Sequence, residues 1–241
     1  KKVSGNYVNW SKDFQAGYMF RNLGNETVYY NKQTKRLLQN YRSAYVQLAF
    51  TYYMEYQRLI AKKDDKNNEK IDRLRLRIIS ALDKMEEKIP NITIPIQSEE
   101  LHFQVARMYG DLGERDSMRK ILEKLISLET GKPRNRIDYA NTIYREFKEV
   151  DRAIKMLEEM RTKFIKIENM VQVRGFNDNT VHQGQFSRWQ KAYPDIVSSL
   201  IYIYRENDRL NEAEMVLSDW ISKNPKDDNA RDLLNKIRND G

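Results

Sequence analysis

Apolar residues recur along most of the chain at the three-to-four spacing of one helical face, and few segments alternate as a half-buried strand does. From about Thr34 to Lys62, the positions Leu37, Tyr41, Tyr45, Leu48, Tyr52, Met54 and Leu59 predict one long amphipathic helix. The polar stretch "KKDDKNNEK" (62–70) breaks it, and Leu74, Ile78, Ile79, Leu82 and Met85 define a second helix from Ile71 to Ile89. Pro90 ends that helix, because proline lacks the amide that would continue the ladder. The two make an antiparallel hairpin spanning 34–90. "PNITIPIQS" reads as an extended link, with Ser98 capping the next helix through its hydroxyl.

From 98 to 241 the pattern repeats. Three helix pairs carry small or aromatic residues where two helices cross: Ala106, Tyr109 and Gly113, then Ala140, Tyr144 and Ala153, then Tyr204, Asp208 and Ala213. Met118 to Ala153 is 35 residues, close to the 34-residue tetratricopeptide period, whereas Ala153 to Ala213 is 60. The excess is assigned to a loop insertion near 161–187, with "RGFNDNTVHQGQF" (174–186) as its long loop. A last helix, Asp228 to Arg238, caps the stack. The predicted fold is all-α: a tetratricopeptide-like array of antiparallel helical hairpins, an α-solenoid, behind an irregular N-terminal segment (1–33), in one continuous domain. Met118 stands where an alanine is usual, and the consensus tryptophan is absent.

The opening segment differs from the helical remainder. Thr27-Val28-Tyr29-Tyr30 is β-branched and aromatic, and it could form a short strand pair with Ile92–Ile96. Tyrosines 29, 30, 41, 45, 52, 53 and 56 crowd the first hairpin. The pieces "YMFRNLGNETVYYN", "LLQNYRSAYVQLA", a helix ending "KIP" and "IPIQSEELHFQVARMYGDLGE" together resemble the C-terminal region of a bacterial membrane-protein family. That family is frequent in Bacteroidetes and has a glycosyltransferase-C-like, multi-spanning N-terminal part related to protein O-mannosyltransferases. The resemblance covers about residues 14–130 well and the rest loosely. Asn31 stands where an acidic residue is usual, and "KKDDKNNEKIDR" is longer than the usual hairpin turn. It implies a periplasmic domain of a membrane-embedded parent, with the sugar-transfer site outside this chain and the tyrosines packing the first hairpin against the parent polypeptide.

Composition narrows the function classes. The 241 residues include 43 Lys and Arg against 35 Asp and Glu, for a net charge of +8. Acids and bases are interleaved, and the densest basic run, Lys32, Lys35, Arg36 and Arg42, has no aromatic recognition motif beside it, so it reads as a solvated helix face rather than a nucleic-acid site. No apolar run approaches the roughly 20 residues that span a bilayer. There is no cysteine, and the two histidines, His102 and His182, are too far apart in sequence to form a metal-ligand motif. No phosphate loop, nucleophile elbow or converging acid–base pair is visible, so the chain is expected to be non-catalytic, without cofactor, metal or nucleic-acid partner. "NET" (25–27) and "NIT" (91–93) match the N-glycosylation pattern, and "DSM" (116–118) resembles an O-glycosylation signal.

Binding is the remaining class. In tetratricopeptide proteins the first helix of each pair lines a groove, and that register places Phe103 and Arg107, Thr142 and Arg145, and Tyr202 and Arg205 toward it. Arg107, Arg145 and Arg205 are expected at equivalent positions, aligned along one wall, where an acidic peptide or a C-terminal carboxylate would supply the missing charge. The expected partner is therefore a protein or peptide. A free-standing tetratricopeptide adaptor unrelated to glycosylation is the alternative setting, and a basic helical nucleic-acid binder a weaker one.

Overall fold

A computed structural model describes residues 2–3, 6–7, 23–62, 65–128, 132–174 and 183–240. Among the described residues the regular structure is helical apart from a strand pair of two residues each, Lys2–Val3 with Asn6–Tyr7. It divides into two compact units, Lys1–Leu101 and His102–Gly241, with the division falling inside one helix rather than in the link before Ser98. Most of the predicted junction segment, 1–22, lies outside the described residues.

In the first unit, α1 (Lys32–Ala61) and α2 (Asn68–Lys88) form the predicted hairpin. Cross-links at three levels make it antiparallel: Arg42 reaches Ile89, Arg77 lies over the Tyr52 ring, and Lys70 pairs with Glu55 at 2.6 Å. Asn31 starts α1 by accepting the Thr34 amide at 2.8 Å, satisfying one of the first-turn donors.

The buried face of α1 matches the predicted one only in part: Leu59 is buried and Tyr41, Tyr45 and Tyr52 are half-buried, but the stripe is turned over most of its length. Leu38, Arg42, Val46, Ala49, Tyr56 and Leu59 are buried, whereas Leu37, Leu48 and Met54 are about half exposed or more. The predicted stripe is displaced by one residue, roughly 100° around the helix. The cause is Arg42. A pattern read by hydrophobicity turns an arginine outward, yet this one is 1% exposed and lies in the buried stripe of the hairpin. Its guanidinium donates to the Ile89 carbonyl at 2.7 Å, the Ile94 carbonyl at 2.5 Å and the Gln39 side chain at 3.0 Å. The first of those carbonyls closes the end of α2, where the ladder runs out of donors. Burial pulls the Arg42 pKa down to about 10, with the Glu86 carboxylate opposing the shift. Arg42 thus leaves the solvated basic face to which the sequence assigned it.

Residues 27–30 and 92–96 form no strand pair. They are turns and irregular chain, with Thr93 and Ile94 amides returning to the Pro90 carbonyl. The Thr93 hydroxyl donates to the Leu23 carbonyl, and Tyr30 and Tyr41 pack on Leu23, Leu38, Ile89 and Ile94. Asn91 of "NIT" is buried, its side chain accepting the Ile96 amide at 2.6 Å, while Asn25 of "NET" is exposed.

The second unit contains α3 (Glu99–Asp111), which crosses the division, α4 (Arg115–Ser127), α5 (Pro133–Phe147), α6 (Val150–Arg174), α7 (Gln183–Glu206), α8 (Leu210–Lys223) and α9 (Asp228–Asp240). Ser98 accepts the Leu101 amide at 3.2 Å, as its capping assignment requires. One core holds Leu122, Leu125, Ile143, Leu157, Ile196, Leu200, Leu217 and Ile237.

The turns joining α3 to α4, α5 to α6 and α7 to α8 share one geometry. Gly113, Lys148 and Asp208 all have positive φ, at 82°, 58° and 56°. Five residues after each, Met118, Ala153 and Ala213 donate their amides to Glu114, Glu149 and Arg209, and all three side chains are buried. The spacings of 35 and 60 residues therefore describe structurally equivalent positions.

The excess of the longer spacing is helix as well as loop. Residues 161–174 continue α6 and 183–187 begin α7, so the predicted insertion is largely two helical extensions; only 175–182 lie outside the described residues. The extensions are held by aromatic packing: Phe164 stacks on Tyr193 at 4.2 Å, Tyr193 meets Trp220 at 5.9 Å, and Trp189 is buried. Lys223 lies over Tyr193 and pairs with Glu168 at 2.5 Å.

Candidate functional site

The turn residues fix a register for the three first helices, and it corrects one expectation. Counting back from Gly113, Lys148 and Asp208, Arg107 corresponds to Thr142 and Tyr202, one turn away from the row occupied by Arg145 and Arg205. The residue matching those two arginines in α3 is Gly110. The three arginines do not form one aligned row.

The exchange at Gly110 has a partner. Where the other pairs carry Arg145 with Ala153 and Arg205 with Ala213, the first carries Gly110 with Met118. A Cβ built on Gly110 would fall 2.5 Å from the Met118 sulfur. Glycine on α3 therefore makes the room that the larger residue on α4 fills. The large-for-small exchange at Met118, visible as a departure from the repeat pattern, is compensated across the helix crossing.

Beside this crossing lies an open cavity of about 400 Å³ between α3 and α5. From α3 come Phe103, Arg107, Gly110 and Asp111; from α4, Met118; from α5, Asp138, Asn141, Thr142, Arg145 and Glu146. Four of the six residues expected to form a groove, Phe103, Arg107, Thr142 and Arg145, line it. The other two do not: Tyr202 packs edge-on against Tyr144 at 6.1 Å, and Arg205 is an exposed residue in the last turn of α7. Phe103 is braced by the edge of Tyr139 at 5.1 Å, which holds its ring at the cavity wall. Sequence reasoning did not mark Gly110 or Asn141; the signal available was the matching glycine opposite the anomalous methionine.

Several arginines elsewhere in the unit are ion-paired. Arg152 binds Glu123 with two bonds of 2.6 and 2.7 Å and Glu149 at 3.0 Å, and Arg119 binds Glu149 at 2.5 Å. Hydrogen bonds from these arginines hold Glu149 and Glu123 below the usual carboxylate range. By contrast, Arg107 and Arg145 make no ion pair or side-chain hydrogen bond among the described residues, and neither do the carboxylates of Asp138 and Glu146. Desolvation raises the Asp138 carboxyl above its ordinary value even though part of its surface meets solvent; Arg134 and Arg107 offset this incompletely. Elsewhere, Tyr204, which donates to Glu158 at 3.2 Å, is pushed up to about 12 by burial and that carboxylate.

His102 is buried on α3, His182 lies outside the described residues, and no group of three metal-ligating side chains occurs among the described residues. No described helix is long and apolar enough to cross a membrane. Comparison with models of known protein families and with curated proteins finds no match. The class defined by the fold is thus an all-helical chain with an open, charged cavity between two first helices of its repeated pairs.

Proposed function

We propose that this chain is a non-catalytic interaction domain, a tetratricopeptide-like array whose second unit captures a protein or peptide segment in the cavity between α3 and α5. The observation that supports this reading is that Arg107 and Arg145 face one cavity together, and neither makes an ion pair or side-chain hydrogen bond among the described residues. A guanidinium without a protein acceptor is free to bind a carboxylate or a peptide carbonyl. Phe103 adds flat apolar surface beside it. On the resemblance of about residues 14–130, the proposed setting is the periplasmic face of a bacterial inner membrane, as a domain of a membrane-embedded glycosyltransferase-like parent, where it holds an acceptor protein or partner.

The test is selection of displayed random peptides on the purified chain, followed by binding to an Arg107→Ala/Arg145→Ala variant. Selected peptides should lose at least tenfold in affinity, because each charge-assisted bond contributes about 1.5–3 kcal/mol. Failure to select any peptide, or equal binding to the double variant, contradicts the proposal.

A further inference from the structure

The cavity does not carry the charge an acidic ligand needs. Arg107 and Arg145 share it with Asp138 and Glu146, so cations and carboxylates are both presented. Asp138 sits one helical turn before Thr142 on α5, and Glu146 one turn beyond, next to Arg145. An all-acidic segment would satisfy the arginines while bringing its negative charge against Asp138 and Glu146, two carboxylates that make no ion pair or side-chain hydrogen bond among the described residues. A like-charge approach of this kind weakens binding and excludes wrong partners. A ligand with both charges relieves both pairs of unsatisfied groups at once.

We infer that the cavity recognises a dipolar peptide segment, a lysine or arginine adjacent in sequence to a glutamate or aspartate, with the ligand's carboxylate on Arg107 and Arg145 and its cation on Asp138 or Glu146. This rests on the reading of the cavity as the binding site. Phe103 supplies apolar contact for the methylene stem of the lysine or arginine.

The experiment uses three capped tetrapeptides, acetyl-Ala-Lys-Glu-Ala-amide and its Glu-Glu and Lys-Lys counterparts, titrated into the complete 241-residue chain and read by amide chemical shifts. Binding of the Lys-Glu peptide near about 1 mM is expected, with shifts at Arg107, Asn141 and Arg145, and at least tenfold weaker binding of the other two. In an Asp138→Asn/Glu146→Gln variant the preference should invert, with the Glu-Glu peptide binding more tightly than the Lys-Glu one. If the Glu-Glu peptide binds the native chain equally well at the same residues, the dipolar inference fails and the cavity reading stands. Shifts confined to residues outside α3 and α5, or no shift with any peptide, overturn both.

Discussion

The two compact units are organised by different devices. In the first, one long hairpin closes on a single buried cation, Arg42, whose bonds to Ile89 and Ile94 tie the end of α2 and the adjoining turn to α1. In the second, a modest turn is used three times, at Gly113, Lys148 and Asp208, and each copy adds a helix pair with the same buried positions. A structure organised around one polar anchor is exposed to one substitution. A structure built from repeated turns spreads the risk, and small departures between copies become available for function, as Gly110 and Met118 illustrate.

The sharpest break in this comparison is expected at Arg42. Replacing it with methionine keeps much of the volume but leaves two carbonyls without their donor. We expect a loss of about 2–4 kcal/mol in the stability of the first unit, read from denaturant unfolding with a probe in α1, against little change at a probe in α7. Equal loss at both probes would show that the units unfold together rather than separately.

The turns are next. Gly113→Ala places a Cβ at φ of 82° and should cost about 1 kcal/mol. Lys148→Gly and Asp208→Gly, at positions where a side chain already tolerates that geometry, should change stability by less, since relief of the left-handed conformation is offset by glycine's unfolded-state entropy. A thermal melt of the three variants checks the order.

Legibility in the sequence divides along the same line. The helices, the hairpin, the cap at Ser98 and the turns at Gly113 and Asp208 are written in local chemistry: apolar periodicity, a hydroxyl before a helix, residues that accept positive φ; Lys148 carries no such signal. Two things were not. The rotation of α1 depends on acceptors 47 and 52 residues away from Arg42, and no local pattern reports that an arginine faces inward. The extensions of α6 and α7 were hidden by the expectation of a fixed repeat, although Phe164, Ile167 and Val171 keep helical spacing. At the site, the residue types were readable, but the register was not. Aligning arginine with arginine put Arg107 in the wrong row, and only the turn geometry places Gly110 there.

The exchange at the first crossing gives a smaller, interpretable effect. Gly110→Ala alone should be close to neutral, because the helical gain of about 1 kcal/mol is offset by displacing Met118. In a Met118→Ala background the same change should stabilise by about 1 kcal/mol, and a double-mutant cycle measures the difference. Absence of coupling would mean that the methionine moves aside freely.

Smallest is the response to acid. Glu123 and Glu149 have folded-state pKa values below those of the unfolded chain, so their pairs with Arg152 and Arg119 add stability above the ordinary glutamate range. That contribution is lost as pH falls through the depressed values, from about pH 5 downward. The groups are substantially exposed, so less than about 1 kcal/mol per pair is at stake. Melting temperature against pH for the native chain and Arg152→Gln should converge in acid; parallel curves would assign the pairs no stabilising role.

The cavity between α3 and α5, and not a continuous row of arginines, is where we place binding by this chain. The most direct test is calorimetric titration of one selected peptide against Arg107→Ala, Arg145→Ala and Arg205→Ala measured singly. The cavity account predicts a loss of about tenfold or more for each of the first two and an unchanged affinity for the third. Comparable losses for all three would contradict it and restore the single aligned wall.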